Sequence, residues 1–265
     1  MSTASHTLLR SIDRPCLNGS IGAFAAMAVL LLGALAAGPA WADLPYFVSA
    51  DATAMVGTLD SQTDSTGQLQ IFPVTAGPVS ADGSPFSPDD SAAATSTADM
   101  GELTAYASAN VRDGLLVLGR GGAADWLDTF TASSSNPHVT EVTFQATLSL
   151  FDTITASAST IGEARVDLIL SDSAHIDPVT LLTLDDASFN PPLNTRTVTA
   201  MITEPIGVPF VLSGRLVLTA RAGDPFGVEG FVVVDATEGA TFKLDPTTPD
   251  GAYTTASGIS YLSSP

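Results

Sequence analysis

The chain has 265 residues, 28 of them acidic and 9 basic, with a formal charge of −19 at pH 7. A field of that sign repels nucleic acid and anionic membrane, which argues against any nucleic-acid-binding role. The only cysteine is Cys16, so residues 43–265 can hold no disulfide, thiolate nucleophile or cysteine-based metal site.

Residues 1–42 read as an export signal. Arg10 and Arg14 supply a positive start, residues 21–37 (IGAFAAMAVLLLGALAA) an apolar core, and Ala40-Trp41-Ala42 a small-x-small cleavage site before Asp43. This predicts a Sec-type signal helix removed after Ala42, and a secreted or extracellular address with the periplasm as alternative. An uncleaved anchor is the competing reading, because residues 21–42 approach the length of a bilayer span. The cleavage site and the polar chain beyond it favour removal, leaving no membrane contact. Cys16 precedes the apolar run, the wrong side for a lipidated cysteine. Without the leader the chain keeps 27 acids (28 less Asp13) and 7 bases (9 less Arg10 and Arg14), a net −20, and is long enough to bury a core.

Residues 43–100 carry weak strand signals. Phe47, Val48, Met55, Val56 and Leu59 stand among Ser, Thr and Asp, and residues 68–74 (QLQIFPV) form a short strand stopped by Pro73. Residues 75–101 read as a loop, with a short helix at 92–100 as a minor alternative. One or two strands are expected here, packing onto the remainder, 101–265, as part of a single domain.

From Glu102 apolar and polar residues alternate with period two, as in strands with one buried and one wet face. Residues 102–111 lead into Asp113-Gly114, a hairpin signal before 115–118. Gly119-Arg120-Gly121-Gly122 reads as a turn that breaks the chain. Strands follow at 124–132, 139–151, 153–159 and 162–170, then a polar connection over 172–195 with an apolar knot at 179–184. Residues 197–221 predict a hairpin, with Pro205 second and Gly207 fourth in a type I turn. Phe210, Leu212, Leu216 and Leu218 belong to the core of its long second arm. Gly214 suggests a bulge there, dividing the arm into two segments that bridge the sheets, and Pro209 should stand at a strand start or edge. Strands at 228–236, 240–244 and 257–262 close the chain. No segment holds a helical period, so the fold class is all-β: an antiparallel two-sheet β-sandwich, jelly-roll-like, with a closed barrel as alternative.

Four phrases carry a resemblance: ADWLDTFT (124–131), VTFQATLSL (142–150), PIGVPFVLSGRLVLTARAG (205–223) and FVVVDATEGATFKLDPTTPDGAYTTASGISY (231–261). In this order they resemble the exported β-sandwich proteins that bacteria sort with exosortase, the PEP-CTERM class. The resemblance implies a place at the cell surface or in the extracellular matrix, and no shared enzyme activity. Members continue into a Val-Pro-Glu-Pro signal, a membrane helix and a basic end, whereas this sequence stops at Ser263-Ser264-Pro265. Release without sorting and a shortened reading frame are the two readings, and the DNA downstream of Pro265 separates them.

Calcium is the metal the composition suits, since it takes six to eight oxygens and the loops are rich in Asp. Asp89, Asp90, Asp185 and Asp186 are the candidate ligands, against the plainer reading of Asp as turn former. No stretch has the D-x-[DN]-x-[DN]-G spacing, and no other cofactor is expected. His138 and His175 flank prolines in loops, and no G-x-S-x-G elbow supports a Ser–His–Asp site. Trp126 is expected in the core and Tyr106 facing outward, while Arg215 and Arg221 should pair with acids on neighbouring strands. The expected function is noncatalytic, in contact with extracellular polysaccharide or other surface proteins. A carbohydrate-binding, lectin-like module, with or without calcium, and a secreted hydrolase are the alternatives.

Overall fold

The computed structural model describes residues 46–56, 60–68, 73–82, 90–112, 117–157, 160–172, 178–187, 194–223 and 229–263. The expected signal peptide, the Asp113-Gly114 turn, Asp89 and His175 lie outside these. The strands are β1 (Phe47–Val56), β2 (Asp60–Gln68), β3 (Val74–Asp82), β4 (Ser91–Asp99), β5 (Glu102–Val111), β6 (Val117–Ser134) and β7 (Glu141–Ala156). They continue with β8 (Ile161–Ser171), β9 (Val179–Ala187), β10 (Asn194–Pro205), β11 (Pro209–Ala222), β12 (Gly230–Pro246) and β13 (Gly251–Thr255). One antiparallel sheet runs β2-β1-β6-β11-β8-β9, with β13 also on β6; the other runs β10-β7-β12-β5-β4-β3. The two sheets pack face to face as a sandwich, the fold class that the alternation predicts.

Burial follows the period-two pattern. Val142, Phe144, Ala146, Leu148, Leu150 and Ile154 of β7 face inward from one sheet, and Phe210, Leu212, Leu216 and Leu218 of β11 from the other, all buried. Pro209 opens β11, where its missing N–H interrupts no ladder.

Residues 43–100 hold four strands among the described residues, and the loop reading of 75–82 and 91–99 and the short-helix reading of 92–100 are overturned. Ala76, Ala81, Ala92, Ala94 and Ala98 are in phase with the strand period and buried. Alanine's helical advantage is below ~1 kcal/mol per residue, and pairing on both sides of β4 outweighs it. Ser96 is the polar member of that inward row. Its Oγ donates to the Asp51 carbonyl at 2.6 Å, where β1 slips register against β6 between Ala50 and Ala52.

The glycines at 119–122 do not break the chain, because β6 runs through them as one strand of 18 residues. They lie opposite register slips in both partners, Ala50/Ala52 of β1 and Val217/Ala220 of β11. The run is a bulged stretch of strand, not a turn.

Neither predicted hairpin pairs its own two strands, which in each case belong to opposite sheets. β5 pairs with β4 and β12, whereas β6 belongs to the opposite sheet. Likewise β10 pairs with β7, and β11 with β6 and β8. The turn between β10 and β11 is shifted by one residue: the Val208 N–H donates to the Pro205 carbonyl at 3.4 Å, and Gly207 has φ 76°. Gly207 thus takes the third position, where a type II turn requires positive φ. Gly214 makes no bulge, since register is continuous from Pro209↔Thr131 to Val217↔Ala123. β11 therefore stays in one sheet. Gly214 leaves room for Trp126: a Cβ there would lie 2.3 Å from the indole Nε1.

Three further boundaries differ. The apolar knot at 179–184 belongs to β9, an edge strand, and 230–246 is a single strand with a register slip between Ala236 and Ala240. The last strand is β13, not 257–262. Residues 257–263 are held by side chains and by the Leu244 N–H, which donates to the Tyr261 carbonyl at 2.8 Å.

Candidate functional site

Two groupings of chemically capable side chains stand out: a buried carboxylate under the C-terminal segment, and a charged depression on the opposite face of the same sheet.

Ala124, Trp126, Asp128, Phe130 and Ala132 share the inward face of β6, and all are buried. Asp128 is therefore a carboxylate in a row of core side chains. Its Oδ1 accepts from the N–H groups of Thr129 at 2.8 Å and Ser257 at 3.2 Å. Its Oδ2 accepts from the Tyr261 hydroxyl at 2.9 Å and from Ser257 Oγ. Burial pushes the Asp128 pKa up, against the pull of the Ser257, Tyr261 and Thr129 hydrogen bonds. Burial, then the Asp128 charge, holds the Tyr261 phenol well above its ordinary value, so it stays a donor.

Aromatic rings close over this carboxylate. Trp126 stacks on Phe242 at 5.1 Å and on Tyr261 at 5.5 Å between centroids, and Tyr261 lies 5.2 Å from Phe130. The Tyr261 N–H donates to Tyr253 Oη at 2.9 Å, and Thr255 Oγ1 to the Ile259 carbonyl at 2.7 Å. Gly101 (φ 77°) passes beneath the Tyr261 ring, where a Cβ would come within 2.7 Å. A Ser–Asp contact thus exists, but it is a clasp: Ser257, Ile259 and Tyr261 pin the C-terminal segment into the core. His138 lies in the exposed turn beyond β6 and brings no base to it. Trp126 is buried, as expected of a core residue.

The other face of the sheet carries a shallow depression of about 460 Å³ lined by Glu163, Arg165, Asp167, Asp185, Arg215 and Thr219, among others. Arg165 grips Asp167 through two bonds, Nε to Oδ2 at 2.8 Å and Nη2 to Oδ1 at 3.1 Å, and Thr183 Oγ1 donates to the same carboxylate at 2.7 Å. Arg215 reaches Asp125 at 3.6 Å, an acid on a neighbouring strand as the sequence leads one to expect. Packing lifts the Asp125 pKa to about 6, and Asp51 adds to the rise, while Arg215 and a Ser49 hydrogen bond oppose it.

The calcium candidates are not brought together. Asp90 is buried at the start of β4 and its Oδ1 accepts the Arg112 N–H at 2.6 Å, joining the ends of β4 and β5. Asp185 is exposed on β9, opposite Arg165 of β8, and Asp186 follows it in the same edge strand. β4 faces β1 while β9 faces β10, so Asp90 and Asp185 sit at opposite lateral edges of the sandwich. Among the described residues no three of His, Cys, Asp or Glu gather as a metal cage. Tyr106 faces outward on β5, half-buried.

No family model matches the chain, and a search of curated proteins finds no match.

Inward-facing acids escaped the sequence reading: Asp128, Asp152, Glu204 and, just past β8, Asp172, each buried. The signal was present for three of them. Asp128 is in phase with Trp126 and Phe130, Asp152 with Leu150 and Ile154, and Glu204 with Ile202.

Glu204 hydrogen-bonds Asp172 between the two sheets; burial foremost, then the Asp172 charge, pushes its pKa from 4.5 to about 8. A carboxyl with a raised folded pKa binds more protons folded than unfolded, so folding stability falls as pH rises from 4.5 to about 8. Melting temperatures taken across this window are expected to decline toward alkaline pH, and Glu204→Gln to flatten the decline. An unchanged profile in the variant refutes this assignment.

Proposed function

We propose that this chain is an exported, noncatalytic β-sandwich protein of the cell surface or extracellular matrix, acting through its surface. One observation carries the reading. Asp128, Ser257 and Tyr261, the side chains of the two family-like phrases best suited to chemistry, face each other in the core and hold the C-terminal segment down. Their arrangement serves closure of the fold: the carboxylate is enclosed by Trp126, Phe130 and Tyr261, with its oxygens engaged by donors of the chain itself. On this reading the ADWLDTFT and SGISY phrases are needed wherever the sandwich must survive outside the cell without disulfides.

Expression in a bacterial host followed by fractionation tests the address. The chain is expected outside the cytoplasm, with Asp43 as its first residue by intact mass. Retention in the cytoplasm with residues 1–42 still attached overturns the proposal.

The charged depression favours a second reading, a binding module for extracellular polysaccharide. A glycan array probed with and without EDTA separates the two. Binding abolished by Arg215→Ala supports the module, and loss on EDTA adds calcium to it. Under the first reading no glycan is retained, and the melting temperature is the same with EDTA.

A further inference from the structure

The edges of the two sheets are not alike. β3 contains Pro78 and slips register against β4 between Ala76 and Val79. β2 has Asp60 and Asp64 in its sequence, and β9 has Asp185 and Asp186 just before its last residue and slips against β8 between Leu168 and Ile169. Pro, charge and bulges are the devices by which an edge strand resists pairing with another chain. β10 has none of them over most of its length. It pairs with β7 from Asn194↔Asp152 to Pro205↔Glu141 with no slip, and from Thr197 to Thr203 it carries no charged residue.

Among the described residues no strand pairs with β10 except β7. Thr195, Thr197, Thr199, Met201 and Thr203 are exposed on its outer face, Met201 at 57%. On the inner face Val198 and Ala200 are only half-buried, although Leu148 and Ala146, their partners on β7, are buried. The core is therefore less covered sideways at Val198 and Ala200, between Arg196, whose Nη1 donates to the Asp185 carbonyl of β9 at 2.8 Å, and the buried Ile202.

We propose that the free edge of β10 pairs antiparallel with the same edge of a second copy of this chain, joining the two through one continuous sheet. This goes beyond the surface role proposed above and stands or falls separately from it. The edge is self-complementary. With the two-fold axis at Thr199, Thr197 meets the partner's Met201, Thr195 meets the partner's Thr203, and Val198 meets the partner's Ala200, covering the half-exposed inner residues. Cross-strand hydroxyl contacts already hold β10 to β7, Thr143 to Thr203 and Ser149 to Thr197, each at 2.9 Å. The new seam repeats them. Charge selects the same edge: two copies of a chain with net charge −19 repel one another over most of their surfaces and least where a strand is uncharged. A one-strand seam covers less than the ~800 Å² per partner of a standard interface, so the dimer is weak. Added salt screens the mutual repulsion and strengthens it.

Sedimentation velocity on the exported chain, or on Asp43–Pro265, which is a compact unit by itself, tests this from low micromolar to submillimolar concentration. The expected result is a monomer–dimer equilibrium that tightens with salt. Thr199→Lys is expected to weaken it at least tenfold with the melting temperature retained, while Ser80→Lys on the opposite edge leaves it unchanged. Should Thr199→Lys fail to fold, Thr199→Cys gives an independent answer, since residues 43–265 contain no other cysteine. Antiparallel partners lie ~4.5–5.5 Å apart at Cα, within disulfide reach, so this variant crosslinks to itself faster than Ser80→Cys. A chain that is monomeric at every concentration, a dimer indifferent to Thr199→Lys, or equal crosslinking rates overturns the proposal.

Discussion

Asp128→Ala is expected to lower the unfolding free energy by about 2–4 kcal/mol, because it strips the acceptor from buried donors of Thr129, Ser257 and Tyr261. The loss is local before it is global. Without the clasp, residues 257–263 keep the Leu244–Tyr261 backbone bond and the ring contacts, but lose the hydrogen bonds that fix the approach of Ser257. Denaturant melts measure the free energy, and limited proteolysis followed by mass spectrometry shows whether cleavage beyond Thr255 speeds up first. Asp128→Asn should cost less than Asp128→Ala. The amide keeps one acceptor, and burial already disfavours the charge of the carboxylate. Tyr261→Phe removes one donor with the ring retained, and falls below both. An Asp128→Ala protein with an unchanged midpoint and a protected C-terminal segment would show that Asp128 is not what pins it.

Gly214→Val is the second large effect. Even the first carbon of a side chain at this position would lie 2.3 Å from Nε1 and 2.7 Å from Cε2 of Trp126. The indole has little room to retreat, because Phe242 and Tyr261 both stack on it, at 5.1 and 5.5 Å between centroids. Forcing added carbon into a close-packed interior costs typically ~1–3 kcal/mol, and valine adds a branched group to the same collision. Gly214→Ala is thus expected to destabilise by a few kcal/mol and Gly214→Val to prevent folding. Trp126 is the only tryptophan beyond residue 42, so its emission reports the site directly and shifts to the red as the ring is displaced. A double-mutant cycle with Trp126→Leu supplies the control. The smaller partner should rescue most of the Gly214→Ala cost, and additive costs would refute the contact as its cause.

These two effects bear on how the fold could be read. β7 was legible because five apolar residues from Val142 to Leu150 alternate without interruption, and β11 because Phe210, Leu212, Leu216 and Leu218 do the same. β3 and β4 were not legible. Their buried positions are mostly alanines, whose side chains are too small to mark a face by hydropathy and which favour helix when read locally. Only the opposing sheet makes them core. Gly214 was recognised as special for the wrong reason: a missing side chain in a strand signals either a bend or a close neighbour, and the neighbour is Trp126, some ninety positions earlier in the chain. Asp128 was passed over because an acid in an apolar phase is satisfied only by groups far along the sequence, at 257 and 261.

What the sequence by itself determined is local: an all-β chain, the buried face of its well-patterned strands, and Pro209 at a strand start. Period-two alternation and the chemistry of proline act within a few residues, so they can be read there. The tertiary structure alone decided that β5 and β6, like β10 and β11, belong to opposite sheets instead of forming hairpins, that Asp90 and Asp185 lie at opposite edges, and that Asp128 is a clasp. A turn only reverses the chain. Whether the strand beyond it pairs with its predecessor or crosses to the other sheet depends on which arrangement buries both apolar faces, and that is settled by every other strand at once.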